Sequence, residues 1–317
     1  MTCNLASRNH RRNALRASCN VHLDLLVVDM AHLQSTPSDP TYNEVQSTRE
    51  IYPWYLPNID KYLDRATKKW LSEYAKVPED HHSAHVHRCR DLAWDIRAFP
   101  YSGLGVFLVP FVNKTSAYPE ILETIKNGGR FMDVGCAIGM DLRQLVFDGA
   151  PSGRLVGVDI VSHCHVGYEL FRDRDTFDGK FVEADLLDLS TIGSIQELKG
   201  EVDVVEVSGV MHQWEWHDQI STCMQLVAFS KVNTIVFGSQ VGSATAGNID
   251  FYGAIMYRQS PESFERLWKE VGDRTKTTWT VQAQLKWWED IGWLDVGNIP
   301  GMDDGLNVLD FVARRTA

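Results

Sequence analysis

The chain has 317 residues, 44% of them hydrophobic, with 31 Lys and Arg against 42 Asp and Glu for a formal net charge of −11. That balance argues against a nucleic acid or an anionic membrane as partner, and no uninterrupted apolar stretch approaches the ~18 residues of a membrane span. The length suits one large globular domain with an elaboration, and six scattered cysteines (Cys3, Cys19, Cys89, Cys136, Cys164, Cys223) predict a reduced protein without disulfides or structural zinc.

Residues 1–45 read as a disordered tail. Arg8, Arg11, Arg12 and Arg16 precede the first acid, Asp24, and an apolar patch, Val21–Val28, leads to Pro37-Ser38-Asp39-Pro40. Met30 is an alternative start. A cytoplasmic location is the expectation, although residues 1–29 also have the Arg-rich, acid-poor composition of a mitochondrial presequence. Residues 46–115 are predicted to form an N-terminal helical lid. Asn58-Ile59-Asp60 is the expected cap of a helix to about Lys76, and a second helix is expected from about Glu79 to Ala98. His81 and His85 are four apart on that helix, but no carboxylate or cysteine matches them in spacing, so no metal is expected. Phe99-Pro100-Tyr101-Ser102-Gly103 breaks the helix, and Leu104–Val112 reads as an extended apolar segment. Tyr101 is a candidate contact for cofactor or substrate.

Residues 116–317 predict an α/β domain. A helix, Tyr118–Lys126, precedes a buried strand, Phe131–Val134, which runs into a small-residue turn and then the helical pattern from Met140. Strand, glycine turn and helix start together make a ligand cradle, because glycine lets backbone approach closely and the helix start offers unpaired N–H groups. Asp133, Gly135, Cys136 and Gly139 are the candidate residues there. A second strand, Leu155–Asp159, ends in an acid 20 residues beyond Gly139, the distance at which such folds place a carboxylate on ribose hydroxyls. Ile160 comes next. A third run, Phe181–Leu186, contributes Asp185 and Leu186, and a fourth, Val202–Val207, leads into Ser208 and His212. The charge run Arg172-Asp173-Arg174-Asp175 reads as a solvated helix end. A helix over Trp216–Ser230 and a fifth strand, Thr234–Gly238, come after the fourth. Beyond them lie Gln240, a candidate substrate contact, a flexible Gly/Ser/Ala-rich loop with substrate-side insertions near residues 242–260, and a helix opened by Pro261. Two last strands, Thr277–Leu285 and Leu306–Val312, are expected as a hairpin.

The spacing Asp-x-Gly-x-Ala-x-Gly differs from the dinucleotide fingerprint and resembles the nucleotide loop of class I S-adenosylmethionine (SAM) methyltransferases, with Ala137 in place of the middle glycine. Four segments resemble, more narrowly, the fungal SAM-dependent methyltransferases of meroterpenoid and related secondary-metabolite pathways. They are Phe131–Leu145, Gly167–Asp175, Gln240–Ser243 and Met256–Gly272, within a similarity spanning residues 51–315. The resemblance implies a seven-stranded Rossmann-like sheet whose last strand is antiparallel and SAM as cofactor. It also implies Asp185 on the adenine amino group with Leu186 against the ring, and carboxyl O-methylation of a small acid. Met140 and Ser239 depart from the glutamine and arginine usual in that family.

A carboxylate with an ordinary pKa of about 4 needs no general base; it needs positioning donors. Ser208, His212 and Trp214, after the fourth strand, are the candidates to orient it. With a phenol or enol as acceptor, in O- or C-methylation, His212 becomes the base. A SAM-fold cyclase or isomerase that transfers no methyl is the other alternative. The substrate's identity and the oligomeric state are not legible here.

Overall fold

The computed structural model describes residues 52–188, 190–251, 254–294 and 306–317, with Arg49 and Val296. The tail 1–45, with its alternative start, lies outside the described residues.

Seven strands form one sheet, and two form a separate hairpin. The sheet contains β1 (Phe131–Val134), β2 (Leu155–Asp159), β3 (Lys180–Glu183), β4 (Val202–Glu206), β5 (Ser230–Ser243), β8 (Trp279–Lys286) and β9 (Leu306–Arg315). Their order is β3-β2-β1-β4-β5-β9-β8. The first five strands run parallel, and β9 is antiparallel to both β5 and β8. This is the predicted class I methyltransferase sheet. Strand order reverses between β1 and β4, so the crevice outside their carboxyl ends is where such a sheet binds ligands.

Strands β1 and β2 are buried along both faces, which is why they read as continuous apolar runs rather than alternating ones. One side of the sheet packs on α7 (Trp216–Phe229) and α8 (Pro261–Thr275) through Val205, Ile220, Leu226, Phe264 and Trp268. The other packs on α4 (Tyr118–Lys126) and α5 (Met140–Phe147) through Ile121, Ile125, Phe131, Leu142 and Phe237.

The N-terminal layer contains α1 (Arg65–Glu73), α2 (His82–Ile96) and the single turn α3 (Pro100–Gly103). Trp70, Leu71, Val86 and Phe107 share a core with Ile138, Met140, Leu170 and Phe171, the last two from α6 (Cys164–Phe171). Among the bonds that stitch the layer to α6 and to the turn at its C-terminal end are two that are buried or half-buried. His85 Nε2 meets Leu170 O at 2.9 Å, and Tyr74 Oη donates to Asp173 Oδ2 at 2.8 Å.

Several expectations change. The first helix does not start at Asn58. Asn58 Oδ1 accepts from Asp60 N, closing a tight local turn, and Asp64 caps α1 by accepting from Thr67 N. Leu104–Val112 is not extended but folds into buried 3-10 turns, Val106–Leu108 and one beginning at Val112. Gly105 makes the first possible at φ +80°, where a Cβ would stand 2.7 Å from Ile59 Cβ. A short apolar run does not separate these conformations by pattern. β5 continues to Ser243, and what reads as a flexible insertion is the antiparallel hairpin β6 (Gly247–Phe251) and β7 (Ala254–Arg258). The charge run after α6 is exposed at Arg172, Arg174 and Asp175 as expected, but Asp173 is buried against Arg143.

Candidate active site

The glycine turn after β1 is held by backbone bonds. Gly135 N donates to Val158 O at 2.7 Å, and Gly139 N to Cys136 O at 2.7 Å. Gly135, Ala137 and Gly139 all take left-handed φ, +82°, +45° and +74°. Ala137 N donates to Asp159 Oδ2 at 2.8 Å and Val161 N to Asp159 Oδ1 at 3.1 Å, so Asp159 ties the turn to the end of β2. Ile160, next in the chain, is 51% exposed. Cys136 is buried, and burial pushes its thiol well up, so it is no nucleophile. A Cβ on Gly135 would fall 2.2 Å from Val210 Cγ2. Gly135→Ala is therefore expected to cost ~1–2 kcal/mol from the left-handed backbone alone and to shift Val210. Cofactor affinity should fall about tenfold, as calorimetry would read.

At the carboxyl ends of β1 and β4, Asp133 and Glu206 are register partners. Asp141, in the first turn of α5, joins them, and one oxygen from each of the three lies within 4.8 Å of the others. Exposures are 4%, 0% and 7% for Asp133, Glu206 and Asp141. Asp141 Oδ1 accepts from Phe111 N at 2.6 Å and Val112 N at 2.8 Å. Ser208 Oγ donates to Glu206 Oε1 at 3.0 Å, whereas Glu206 Oε2 has no partner among the described residues. Burial, then the neighbouring acids, holds Asp133 and Glu206 well above the usual carboxylate range. Burial pushes Asp141 up to about 7, against its two backbone donors. Half-buried Tyr101 stands among these acids, and burial with their charges raises its phenol as well.

A narrow pocket, with room for about one water molecule, lies beside this cluster on the side of β4 and β5. Phe111, Trp288, Ile291 and Trp293 wall it, and Gly209, His212, Ser239 and Gln240 also line it. Trp288 and Trp293 stack at 5.8 Å between ring centroids. Gln240 is 3% exposed, and neither amide atom has a hydrogen-bond partner among the described residues. The same holds for His212 Nδ1 and Trp293 Nε1. Burial, then the charge of Arg258, lowers the His212 pKa well below its ordinary value, so the imidazole is neutral at neutral pH.

Of the residues singled out in the sequence, the glycine turn, Asp133, Asp159 and Tyr101 come together at one crevice, and His212 and Gln240 come together at the adjoining cavity. Ser208 is spent on Glu206 and on Ser239 N, which donates to it at 3.3 Å. Asp185 Oδ1 accepts from Leu187 N at 2.8 Å. Leu186 is buried in the same core cluster as Ile192 and Ile195, leaving Ile160 as the exposed apolar side chain at this edge. Trp214 does not line the cavity: its ring packs against the core, and its carbonyl accepts from Tyr257 N at 2.9 Å and Gln219 Nε2 at 3.0 Å.

Sequence reasoning missed Asp141, Glu206, Phe111, Trp288 and Trp293. Glu206 carried a usable signal, an acid at the end of the strand that pairs with Asp133; the tryptophans carried none. It also left the segment Met256–Phe264 unexplained. Arg258 Nη1 donates to His212 O. Gln219 Nε2 donates to Tyr257 O at 2.8 Å, Gln259 Nε2 to Gln219 Oε1 at 2.9 Å, and Ser263 Oγ to Gln259 Oε1. This buried polar frame fixes the turn that carries His212.

Residues 54–108, the helical layer, match a family described as the meroterpenoid methyltransferase N-terminal domain. Over 254 residues the chain is 32% identical to O-methyltransferase atr3 of Stereocaulon alpinum, covering 78% of this chain and 73% of that protein. It is 34% identical over 251 residues to methyltransferase adrK of Penicillium rubens, covering 75% and 87%. To the asnovolin E/chermesin D methyltransferase nvfJ of Aspergillus novofumigatus it is 31% identical over 224 residues, covering 66% and 78%. With the sheet order and the glycine turn already described, these matches establish that the chain belongs to the fungal SAM-dependent methyltransferases of the meroterpenoid type.

Proposed function

We propose that the protein transfers a methyl group from SAM to a carboxylate oxygen of a small, largely apolar acid, giving a methyl ester. The observation that carries this reading is that Gln240, His212 and Trp293 line one apolar pocket and each keeps a buried polar atom without a partner among the described residues: both Gln240 amide atoms, His212 Nδ1 and Trp293 Nε1. Buried polar groups are normally paired, so these are the groups a substrate would satisfy.

The crevice beside that cavity fits the cofactor. The turn Gly135–Gly139 would let its backbone approach, Asp159 and exposed Ile160 would meet the nucleoside, and the cluster of acids without a paired cation among the described residues would meet its cationic amino-acid end. When bound, SAM supplies a methyl group activated on a sulfonium. A carboxylate arrives already ionised, so the chain's task is to orient it and keep water away. Gln240 Nε2 and Trp293 Nε1 donate to it, and the neutral His212 ring donates from Nδ1 in the matching tautomer. Phe111, Trp288 and Ile291 exclude solvent from its apolar body. The neutral His212 also favours a second reading, in which it takes the proton of a phenol or enol.

The test is to incubate the full chain with SAM and a panel of aromatic and terpenoid acids, and to weigh the products. A gain of one methylene in mass, lost on saponification, is expected. A base-stable gain would overturn the ester reading in favour of the second.

A further inference from the structure

The acids at the carboxyl ends of β1 and β4 pose an electrostatic problem that the methyl-transfer reading does not itself answer. Asp133, Asp141 and Glu206 are each at least nine-tenths buried, and no Lys, Arg or His side chain pairs with any of them among the described residues. Three ionised carboxylates cannot share a dry pocket without a cation, because desolvation and mutual repulsion both oppose the charged form. A group that alternates between two solutions, a bound proton or a bound cation, is the physical resolution.

The surroundings supply neither a permanent cation nor a second drain for charge. From β2, Asp159 adds a fourth acid, itself faced by buried His163. From the glycine turn and the N-terminal layer, the Cys136 thiol and Tyr101 phenol face the cluster, both neutral. The nearest buried guanidinium, Arg143, is committed to Asp173. Glu206 is the member still lacking a partner: its Oε1 is bonded to Ser208, and its Oε2, with no exposed surface, to nothing among the described residues. The three oxygens lie within 4.8 Å of one another. An ammonium donating to all three at ~2.9 Å would hold its acceptors roughly 4.7 Å apart, so the three oxygens are close enough for one such group to bridge them.

We propose that Asp133, Asp141 and Glu206 form a single proton-exchanging cation site, in which the α-ammonium of the cofactor enters as a proton leaves to solvent. No bond other than O–H is broken, and the charge gained from the ammonium is balanced by the proton released. The proposal rests on the reading that the crevice binds SAM. It further holds that cofactor affinity rises with pH over the range where the empty cluster still carries its proton, by up to about tenfold per pH unit for one fully coupled proton.

The experiment is titration calorimetry of the full chain with S-adenosylhomocysteine, which carries the ammonium but cannot turn over. Runs in phosphate and in Tris at pH 7 report proton exchange as a difference in apparent enthalpy. About one proton released per ligand is expected. 5′-Methylthioadenosine, which has the nucleoside and sulfur but no amino-acid end, should bind with the same enthalpy in both buffers. Glu206→Gln should bind S-adenosylhomocysteine more weakly and release fewer protons. Binding of S-adenosylhomocysteine with no buffer dependence, or equal proton release by methylthioadenosine, would overturn the proposal and leave the methyltransferase reading intact. No binding of either ligand would overturn both. Proton release on adding Mg²⁺ alone, at micromolar affinity, would assign the cluster to a metal and overturn the ammonium site.

Discussion

Replacing Gln240 with leucine is expected to lower kcat/KM about 100-fold while leaving Tm unchanged or slightly higher. The two effects have opposite sign because the amide is a liability in the unliganded chain. It is buried, and neither of its polar atoms is paired among the described residues. An unpaired buried polar group costs ~1–3 kcal/mol, and leucine removes that cost at similar volume. The substrate then loses a donor and an acceptor that Gln240 brings to this wall of the cavity, and ~2.7 kcal/mol of lost binding is a hundredfold. Steady-state kinetics on the best acid of the panel, with a thermal melt of the same preparation, checks both halves. A kcat/KM within threefold of the parent would remove Gln240 from the acceptor site. A lowered Tm with lowered activity would make it a structural residue instead.

Asp173→Ala should be the most damaging single change to stability. Arg143 is fully buried and Asp173 is 4% exposed. The guanidinium meets the carboxylate twice, Nε to Oδ2 at 3.0 Å and Nη2 to Oδ1 at 3.3 Å, and Tyr74 Oη donates to the same carboxylate. Tyr168, Phe171, Phe177 and Phe181 surround the cation, the nearest ring centroid at 4.1 Å. Removing the carboxylate strands a charge in that aromatic cage, and breaking a buried pair costs ~3–5 kcal/mol. For a domain of this size that is a fall in Tm of roughly 6–20 °C. The damage should reach the cofactor crevice, because Arg143 Nη1 also donates to Ile138 O in the glycine turn, at 3.3 Å. The double change Arg143→Met with Asp173→Leu removes both charges and should recover most of the loss, since an apolar replacement of a buried pair is often neutral. Thermal melts of the parent and both variants decide it. A loss under ~1 kcal/mol for Asp173→Ala would mean that the pair is solvated in the folded chain.

The same pair marks the limit of local reading. Arg172-Asp173-Arg174-Asp175 has the composition of a solvated helix end, and these four residues do not themselves say that one of their charges is buried. The decision belongs to Arg143, 30 positions earlier, and to four surrounding rings. Glu206 is similar. As the last residue of an apolar run it reads as a strand end, and it becomes part of a site only because β4 pairs with β1 and sets it beside Asp133. The tryptophans that wall the proposed acceptor pocket come from a turn after β8, far from every motif. The indole N–H that Trp293 leaves unpaired cannot be seen in composition.

What the sequence determined by itself is the scaffold and its proposed cofactor end. Runs such as Phe131–Val134 and Leu155–Asp159 are buried on both faces, so their apolar character declares them as parallel strands. The left-handed turn of Gly135 and Gly139 needs residues of one kind at one spacing, which is a purely local demand. Asp159 is placed by the same short unit of strand, turn, helix and strand. The proposed acceptor end was decided only in three dimensions. It is built where β4, β5, β9, the turn carrying His212 and the turn carrying Trp288 and Trp293 meet. Its chemistry lies in which polar atoms are left unpaired after packing, a property of the assembled core rather than of any stretch of chain.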